Sequence, residues 1–271
     1  MAAPTPSHDS PPALAVIGGS GFYEFLDDPD WITVETPFGK AASAVAVGTV
    51  AGQFVAFIPR HGRRHEFAPH RVNYRANIWA LRTLGVRRIL APCAVGSLQQ
   101  EIGPGALVVP DQIVDRTSGR AQTYMDVAAV HVAFADPYCP ALRKAVVARA
   151  ESAVDGGALV VIDGPRFSTR AESQWYSREG WSIIGRTAHP EAVLARELAL
   201  CYATVALVTD RDAGVEGGEP VSQTEVLDEF GRNISRMREL LAGVLADLDV
   251  EQAGCDCAHV LDGLTLPFDL P

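Results

Sequence analysis

The sequence has little of what marks secreted, membrane-spanning or nucleic-acid-binding proteins. It has 5 cysteines in 271 residues, an odd and widely scattered set that argues against a disulfide framework and favours a reduced, cytoplasmic protein. No apolar run approaches the roughly 20 residues that a membrane span needs, so no membrane association is expected. Basic residues number 23 against 33 acidic ones, and the net charge of -10 disfavours binding to nucleic acid.

The two ends of the chain differ in composition from the middle. The start, MAAPTPSHDSPP, is rich in Pro, Ala and Ser and lacks the basic and apolar regions of a signal peptide. We expect a disordered leader over residues 1–12. The end, GCDCAHVLDGLTLPFDLP, predicts an appendage over residues 251–271. One domain is expected between them, over residues 13–250.

The middle of the chain alternates strand-like and helix-like segments. Apolar, β-branched runs such as LAVIGG, QFVAFIP, RRILAPCAV and ATVALVTD predict strands. Between several of them lie segments with helical spacing, and the longest helix is predicted to begin at Ser222, with Glu225 in capping-box position. Residues 43–60 hold strands with no helix between them. This pattern predicts an α/β fold with one mixed sheet flanked by helices.

Cations are concentrated in PRHGRRHEFAPHRVNY, residues 59–74, which holds four arginines and three histidines in an acidic protein. Arg60 and His61 directly follow a predicted strand, where a guanidinium can bind phosphate oxygens bidentately. His61 and His65 have the spacing of metal ligands on a helix, but Gly62 and the lack of an H-E-x-x-H pattern argue against zinc. The stretch therefore predicts a site for a small anion.

Small residues follow other predicted strands. VIGGSG places glycines around Ser20, where backbone N–H groups and a hydroxyl can converge on an anion. The spacing is neither G-x-G-x-x-G nor a Walker A loop, so neither a dinucleotide nor ATP is indicated. APCAVGSL permits close approach to Ala94, and GRTAHPEA puts Arg186 and Thr187 at a strand end. Taken singly, each of these segments is also typical of an ordinary turn.

Two further segments supply an aromatic ring and paired carboxylates. DGPRFSTRAES offers Phe167 to stack on a planar ring, and Ser168 either to contact a ligand or to cap a helix. TDRD presents Asp210 and Asp212 on one side of an extended chain, because residues two apart share a face. Two such carboxylates can bind an amino-heterocycle, although singly each is also typical of a surface turn or salt bridge.

Seven stretches together resemble trimeric purine nucleoside phosphorylases, and among these the 5'-methylthioadenosine phosphorylase branch. The stretches are IGGSGFYEF, TPFGK, RHGRRHEFAPHRVNYRANIWAL, AVGSLQQEIGPG, DGPRFSTRAES, PEAVLARELALCYA and TDRD. They occur in the family's order and spacing from about residue 14 to 248. The resemblance implies phosphate attack on the anomeric carbon of a purine nucleoside, with release of the free base and a ribose 1-phosphate.

The resemblance also assigns expected roles to residues. Phosphate is expected to contact Ser20, Arg60, His61, Ala94 and Thr187. The nucleoside is expected to contact Phe167, Ser168, Arg186, His131, Gln223, Val226 and Leu227. Catalytic roles are expected for Asp210, Asp212 and His65, with Asp210 near the purine N7 and Asp212 near the 6-amino group. His131 is expected to come from a neighbouring subunit, which implies a homotrimer. No cofactor or metal is expected, and inorganic phosphate is a co-substrate.

Three positions depart from the family pattern and leave alternatives open. Arg186 stands where methionine is usual, Cys93 where a hydroxyl often contacts phosphate, and Gln223 where an apolar residue is expected. These changes leave the 5' substituent open and allow a nucleoside-binding protein with impaired catalysis. A phosphorylase of 6-oxopurine nucleosides or methylthioinosine is the other alternative. The pair Asp210 and Asp212 disfavours it, because an ionised carboxylate repels a 6-oxo group.

Near the end of the chain, Cys255, Cys257 and His259 form a C-x-C-x-H group. Three nearby ligands suit a metal, but the sequence shows no fourth, so no metal site is predicted. In a reducing compartment these thiols are expected to be free.

Overall fold

The computed structural model of the chain describes residues 11–19, 21–215 and 220–271. In this part of the chain, eleven strands form one mixed sheet with five α-helices around it. The strands are β1 (Leu14–Gly18), β2 (Asp30–Ile32), β3 (Val45–Val50), β4 (Gln53–Pro59), β5 (Arg88–Ser97), β6 (Leu107–Val109), β7 (Gln112–Arg116), β8 (Val154–Asp155), β9 (Ala158–Ile162), β10 (Ile183–Gly185) and β11 (Cys201–Arg211). The helices are α1 (Tyr74–Thr83), α2 (Pro140–Arg149), α3 (Arg170–Arg178), α4 (Ala188–Glu197) and α5 (Gln223–Asp247), with 3-10 helices at Pro69–Arg71 and Cys257–His259.

The helices begin where side chains satisfy their first backbone N–H groups. Ser222 and Glu225 form the predicted capping box at the start of α5, and Thr169 forms another with Glu172 at the start of α3. Each box bonds one hydroxyl to the third helical N–H and one carboxylate back to the cap. The Asn73 side chain caps α1 by accepting from Ala76 N. Local sequence therefore fixes where these helices begin.

Strand β5 is the centre of the sheet. It pairs along its whole length with the parallel strand β11, from Arg88 opposite Cys201 to Ser97 opposite Arg211. Its other edge is shared by two strands running in opposite directions. Parallel β1 pairs with its beginning, through Leu90, and antiparallel β10 pairs with its end, from Gly96.

A gap between β1 and β10 follows from this register. Extending the pairing places Gly18, the last residue of β1, opposite Pro92, and Gly185, the last residue of β10, opposite Val95. Residues 93–94 of β5 therefore face the space where the two strands end. In α/β sheets, ligands bind where strand ends diverge in this way.

The sheet is covered by helices on both faces, as its side-chain alternation requires. Leu14 and Val16 of β1 pack into the cluster that includes Leu241 of α5, whereas Ala15 and Ile17 pack into the cluster on the opposite face. Alternate residues of a strand point to opposite faces, so a strand covered on both faces is apolar throughout. α2 and α5 cover one face, and α1 and α4 cover the other.

The predicted fold class, a single mixed sheet flanked by helices, is confirmed. Most of the predicted leader, residues 1–10, lies outside the described residues, and the division at residues 12 and 250 stays a prediction. The C-terminal segment packs on the domain, since the ring of Phe268 lies 5.6 Å from that of Trp79. Within the described ranges, no helix is both long and apolar enough to cross a membrane.

The packing of α5 predicts the effect of a core truncation. Leu241 is fully buried, so replacing it with alanine removes apolar contacts and leaves a cavity. We expect Leu241→Ala to lower the free energy of unfolding by about 2–5 kcal/mol. Glu239→Ala, on the exposed face of the same helix, is the matched control and should change it by less than about 0.5 kcal/mol. Denaturant unfolding followed by circular dichroism measures both, and equal effects would contradict the assignment of faces.

Candidate active site

A cavity of about 410 Å³ opens at the gap between β1 and β10. It brings together predicted site residues from segments far apart in sequence. Those that line it are Arg60, His61, His65, Ala94, Phe167, Ser168, Arg186, Thr187, Asp210, Asp212, Gln223, Val226 and Leu227. Ser20 lies outside the described residues, although its neighbour Gly19 lines the cavity.

Arg60 is held rigidly at the floor of the cavity. It is 1% exposed, and its Nε and Nη2 donate to the two carboxylate oxygens of Glu191, at 2.5 and 2.9 Å. Nη2 also donates a hydrogen bond to the Ile17 carbonyl at 3.4 Å, and Nη1 donates one to the Pro92 carbonyl at 3.3 Å. Burial opposes the charge of Arg60, but Glu191 outweighs it and the pKa of Arg60 is raised. The Nε–Nη2 edge of the guanidinium therefore holds Glu191, and Nη1 is the nitrogen with a further hydrogen to offer.

His61 is buried beside Arg60 and is neutral near pH 7. Burial, together with the charge of Arg60, lowers the pKa of His61 to about 3. Its Nδ1 lies 2.8 Å from the Phe67 carbonyl, which can only accept, so Nδ1 carries the proton. The Nε2 atom of this tautomer is an acceptor. A ligand oxygen meeting Nε2 must bring a proton with it or induce one to bind.

His65 lies at the exposed mouth of the cavity. Its ring stacks on that of His61, with the ring centroids 4.5 Å apart, and the Tyr23 hydroxyl lies 3.0 Å from its Nδ1. Its backbone φ of 58° is in the left-handed region, where a non-glycine residue is uncommon. Partial burial lowers the pKa of His65. The structure thus stacks the two histidines instead of aligning them on a helix as metal ligands.

Thr187 lines the cavity from the loop between β10 and α4, and its side chain does not cap that helix. Arg120 bonds to the backbone on either side of Thr187, because its Nη1 donates to the carbonyls of Arg186 and His189, at 2.8 and 2.7 Å. Arg120 also donates through Nε to Asp163, after β9. This one guanidinium therefore ties together the two loops that follow β9 and β10.

The two aspartates lie close together at the end of β11. Asp212 accepts a short hydrogen bond from the buried Ser168 hydroxyl, and Asp210 accepts one from Thr209 at 2.8 Å. A Cβ added at Gly96 would lie 2.9 Å from an Asp210 oxygen, so glycine leaves room for that carboxylate. Burial raises the pKa of Asp210 to about 6, and the negative charge of Asp212 adds to the effect.

Arg186 lies against the aromatic residue of the site. Its guanidinium carbon is 4.6 Å from the centre of the Phe167 ring, so one face of that ring is covered. Burial lowers the pKa of Arg186, and the charges of Asp210 and Asp212 oppose the shift. The guanidinium donates to the Arg166 carbonyl and places a positive charge near the two carboxylates, at the end of the cavity where Phe167 lies.

The first turns of α5 form another wall. Gln223 is the first residue of the helix, Val226 is half-buried and Leu227 is 42% exposed. His131, by contrast, is exposed on the segment between β7 and α2 and lies outside the cavity. The structure therefore brings the predicted nucleoside-binding residues together, except for the one expected from a neighbouring subunit.

Sequence reasoning missed the residues that hold the site in place. Glu191 and Arg120 are buried or half-buried and act through Arg60 and through loop carbonyls, without an anion-binding motif of their own. The signal available in the sequence was that Glu191 is the one charged residue of the otherwise apolar segment PEAVLA. Nothing in the sequence around Arg120 distinguishes it from a surface arginine.

The chain matches proteins of one family over nearly its whole length. The family profile described as the phosphorylase superfamily matches residues 13–246. An S-methyl-5'-thioadenosine phosphorylase from Mycolicibacterium smegmatis is 56% identical over 261 residues, 95% of this chain and 99% of that protein. A purine nucleoside phosphorylase from Streptomyces coelicolor is 52% identical, over 95% of this chain and 97% of that protein.

Solved structures agree with the sequence comparison. A methylthioadenosine phosphorylase from an Antarctic soil metagenomic library superposes with a TM-score of 0.84 and 39% identity, covering 93% of this chain and 91% of that one. The enzyme from Schistosoma mansoni in complex with adenine gives a TM-score of 0.82 and 35% identity, over 87% and 91% of the chains. The chain therefore belongs to the phosphorylase superfamily.

Proposed function

We propose that the chain catalyses phosphorolysis of 5'-methylthioadenosine, or of a close 5'-deoxy-5'-substituted adenosine, to adenine and the 5-substituted ribose 1-phosphate. One observation carries the proposal: a single cavity holds anion-binding groups around residues 93–94 of β5 and paired carboxylates around Gly96. Two residues along a strand separate these groups by about 7 Å, a distance that suits a phosphate and a purine with a ribose between them. The Mycolicibacterium smegmatis relative carries the same activity in its name.

Phosphate is held by neutral donors around one fixed cation. Arg60 Nη1 provides the positive charge, and the Thr187 hydroxyl, the Ala94 backbone and Gly19 surround the anion. A neutral His61 with its proton on Nδ1 accepts at Nε2 a hydrogen bond from the hydroxyl of a monoanionic phosphate, and no proton is transferred. Fixed groups of this kind align the nucleophile with the anomeric carbon and stabilise charge that develops in the transition state. We expect His65 to lie near the phosphate and the sugar.

Departure of the purine requires a proton at N7, and Asp210 is the residue placed to supply it. Burial raises the pKa of Asp210 to about 6, so the carboxyl is partly protonated near neutral pH. An acid with a pKa near the operating pH is the most effective general acid. No covalent enzyme intermediate is needed, because phosphate attacks the sugar directly.

Asp212 selects the base. Ser168 donates to one of its oxygens, which leaves the carboxylate free to accept from the 6-amino group of adenine. Phe167 packs against the purine on the ring face that Arg186 does not cover. The second candidate function is that of a purine nucleoside phosphorylase, because the Streptomyces coelicolor relative has that name. Asp210 and Asp212 favour adenine over 6-oxopurines and so favour the first candidate.

The 5' substituent lies against α5, where Val226 and Leu227 offer apolar surface and Gln223 a polar end. We place the active protein in the cytoplasm as a homotrimer in which His131 of each chain completes the sugar site of a neighbour. Its exposure outside its own cavity suits this role. The reaction uses phosphate as co-substrate and no metal or organic cofactor at this site.

The proposed function is tested by base release from four nucleosides, with and without phosphate. The set is methylthioadenosine, adenosine, inosine and methylthioinosine, with products separated by chromatography. We expect phosphate-dependent release of adenine from methylthioadenosine, faster than from adenosine. Hypoxanthine as the main product would support the second candidate, and no release from any of the four by folded protein would contradict both.

Replacing the general acid should depress turnover. We expect Asp210→Asn to lower kcat by about 10²–10⁴-fold while nucleoside KM changes little, because the lost interaction belongs to the transition state. Because the protonated Asp210 carboxyl is the active form, the kcat/KM of the wild-type enzyme for the nucleoside, at saturating phosphate, should fall as the pH rises above about 6. The Asp210→Asn variant should not show this fall. Asp228→Asn, with the same charge change on the exposed face of α5, is the control. An unchanged turnover number in Asp210→Asn would refute the role.

Base preference should depend on the charge of Asp212. In Asp212→Asn the side-chain amide can donate to a 6-oxo group, while the acceptor for the 6-amino group weakens. We expect the ratio of kcat/KM for methylthioadenosine over methylthioinosine to fall at least about 10-fold, the worth of one hydrogen bond to a charged group. Ser168→Ala should reduce both substrates' kcat/KM without inverting the preference. A ratio unaltered by Asp212→Asn would show that base selection lies elsewhere.

Assembly and the role of His131 can be measured together. Sedimentation should give a native mass three times that of the chain. His131→Ala should raise the nucleoside KM by about 5-fold, the effect of one hydrogen bond of about 1 kcal/mol, and leave the phosphate KM unchanged. His259→Ala, exposed in the C-terminal segment, serves as the control. A monomeric active enzyme would contradict the shared site.

A further inference from the structure

Four of the 5 cysteines of the chain converge at one point outside the active site. The sulfur atoms of Cys139, Cys201, Cys255 and Cys257 all lie within 4.8 Å of one another, and those of Cys201 and Cys255 are 3.4 Å apart. We call this set the four-cysteine cluster. His259 belongs to the same C-x-C-x-H group in the sequence, but its side chain is exposed and its Nδ1 lies 3.0 Å from Asp262 Oδ2.

The cluster is assembled from three separate parts of the fold. Cys139 immediately precedes α2, Cys201 is the first residue of β11, and the other two belong to the C-terminal segment. A backbone hydrogen bond joins the start of α2 to β11 at this point, because Cys139 N donates to the Tyr202 carbonyl at 2.9 Å. The tertiary structure therefore supplies the ligands that the C-x-C-x-H pattern lacked.

The surroundings of the cluster are buried and carry donors. Cys139, Cys201 and Cys257 are at most 3% exposed. Gln252 Nε2 lies 3.5 Å from the Cys201 sulfur and also donates to the Ala199 carbonyl. Arg88, itself buried, donates to the carbonyl of Ala253 at 3.0 Å, two residues before Cys255. An amide donor to sulfur and a nearby guanidinium are what a buried group of thiolates needs.

The number and spacing of the sulfurs match a closed site with four protein ligands. A zinc ion binds thiolates at about 2.3 Å, which puts the four sulfurs of a regular tetrahedron about 3.8 Å apart. One separation of 3.4 Å and an upper limit of 4.8 Å for the others bracket that value, so the four sulfurs can converge on one ion. With four protein ligands, no coordination position remains for substrate.

We propose that the four-cysteine cluster is a structural site for a thiophilic divalent ion of the zinc class, which anchors the C-terminal segment to α2 and β11. Binding displaces the thiol protons to solvent and involves no oxidation. Cys201 and Asp210 are at opposite ends of β11, nine residues and thus about 30 Å apart, so the ion stabilises the fold and takes no part in phosphorolysis.

The test measures metal in the full-length protein purified from zinc-containing medium under reducing conditions. Elemental analysis should find about one zinc per chain, lost in Cys255→Ser and retained in Cys93→Ser, whose thiol lies in the active-site cavity. After chelation, the wild-type chain should take up cobalt with the visible and near-ultraviolet bands of a tetrahedral thiolate centre. Chelation should also lower Tm.

Two results would overturn the proposal. One is a zinc-free protein whose intact mass and denatured thiol titration show two disulfides in the cluster. The other is a reduced protein with all thiols free that takes up neither zinc nor cobalt. The cobalt titration uses the unmutated chain, so the test holds even if Cys255→Ser fails to fold. Base release from methylthioadenosine is assayed separately, so failure of this proposal is distinguishable from failure of the proposed activity.

Discussion

The active site depends on one buried ion pair, between Arg60 and Glu191. Both side chains are at most 1% exposed, and the Tyr202 hydroxyl adds a third bond to the carboxylate at 2.9 Å. Through this pair and two backbone carbonyls, the guanidinium connects the ends of β1 and β4, the middle of β5, the first turn of α4 and the start of β11. A buried pair adds little net stability, but removing one partner costs about 3–5 kcal/mol. Its main consequence is therefore to fix a positive charge at the gap between β1 and β10.

The rest of the cavity is arranged around that charge. His61 is kept neutral beside it, so Arg60 supplies the positive charge at this end of the cavity, which suits a single phosphate. Across the gap, Asp210 and Asp212 are brought close together by the room that Gly96 leaves, and burial, with the charge of Asp212 added, raises the pKa of Asp210 to about 6. Arg186 limits that repulsion and covers one face of Phe167. The opposite charges at the two ends match a reaction that brings in an anion and protonates a leaving base.

Features encoded by local sequence could be predicted. The apolar run QFVAFIP predicted β4 within its observed bounds, and Ser222 with Glu225 predicted the start of α5. The cluster of site residues could also be predicted, because strand ends in an α/β sheet converge and the motifs lie there. The roles given to those residues stay predictions that the experiments above address.

Features that depend on register and long-range contacts could not be predicted. The gap over residues 93–94 exists because β1 and β10 share one edge of β5 in opposite directions, which no single segment encodes. The partner of Arg60 lies 131 positions away along the chain, so the sequence around Arg60 could not show that Glu191 holds one edge of its guanidinium. Likewise, Cys139 and Cys201 join Cys255 only through the packing of α2 and β11.

The most direct test of this account follows phosphorus during the reaction. Wild-type protein is incubated with methylthioadenosine and inorganic phosphate, and phosphorus NMR is recorded as adenine is released. The account predicts that inorganic phosphate is consumed in equal amount to adenine formed and appears as a sugar 1-phosphate ester. Release of adenine with no loss of inorganic phosphate would mean that water attacks the sugar, and the site built around Arg60 and Glu191 would then not be a phosphate site.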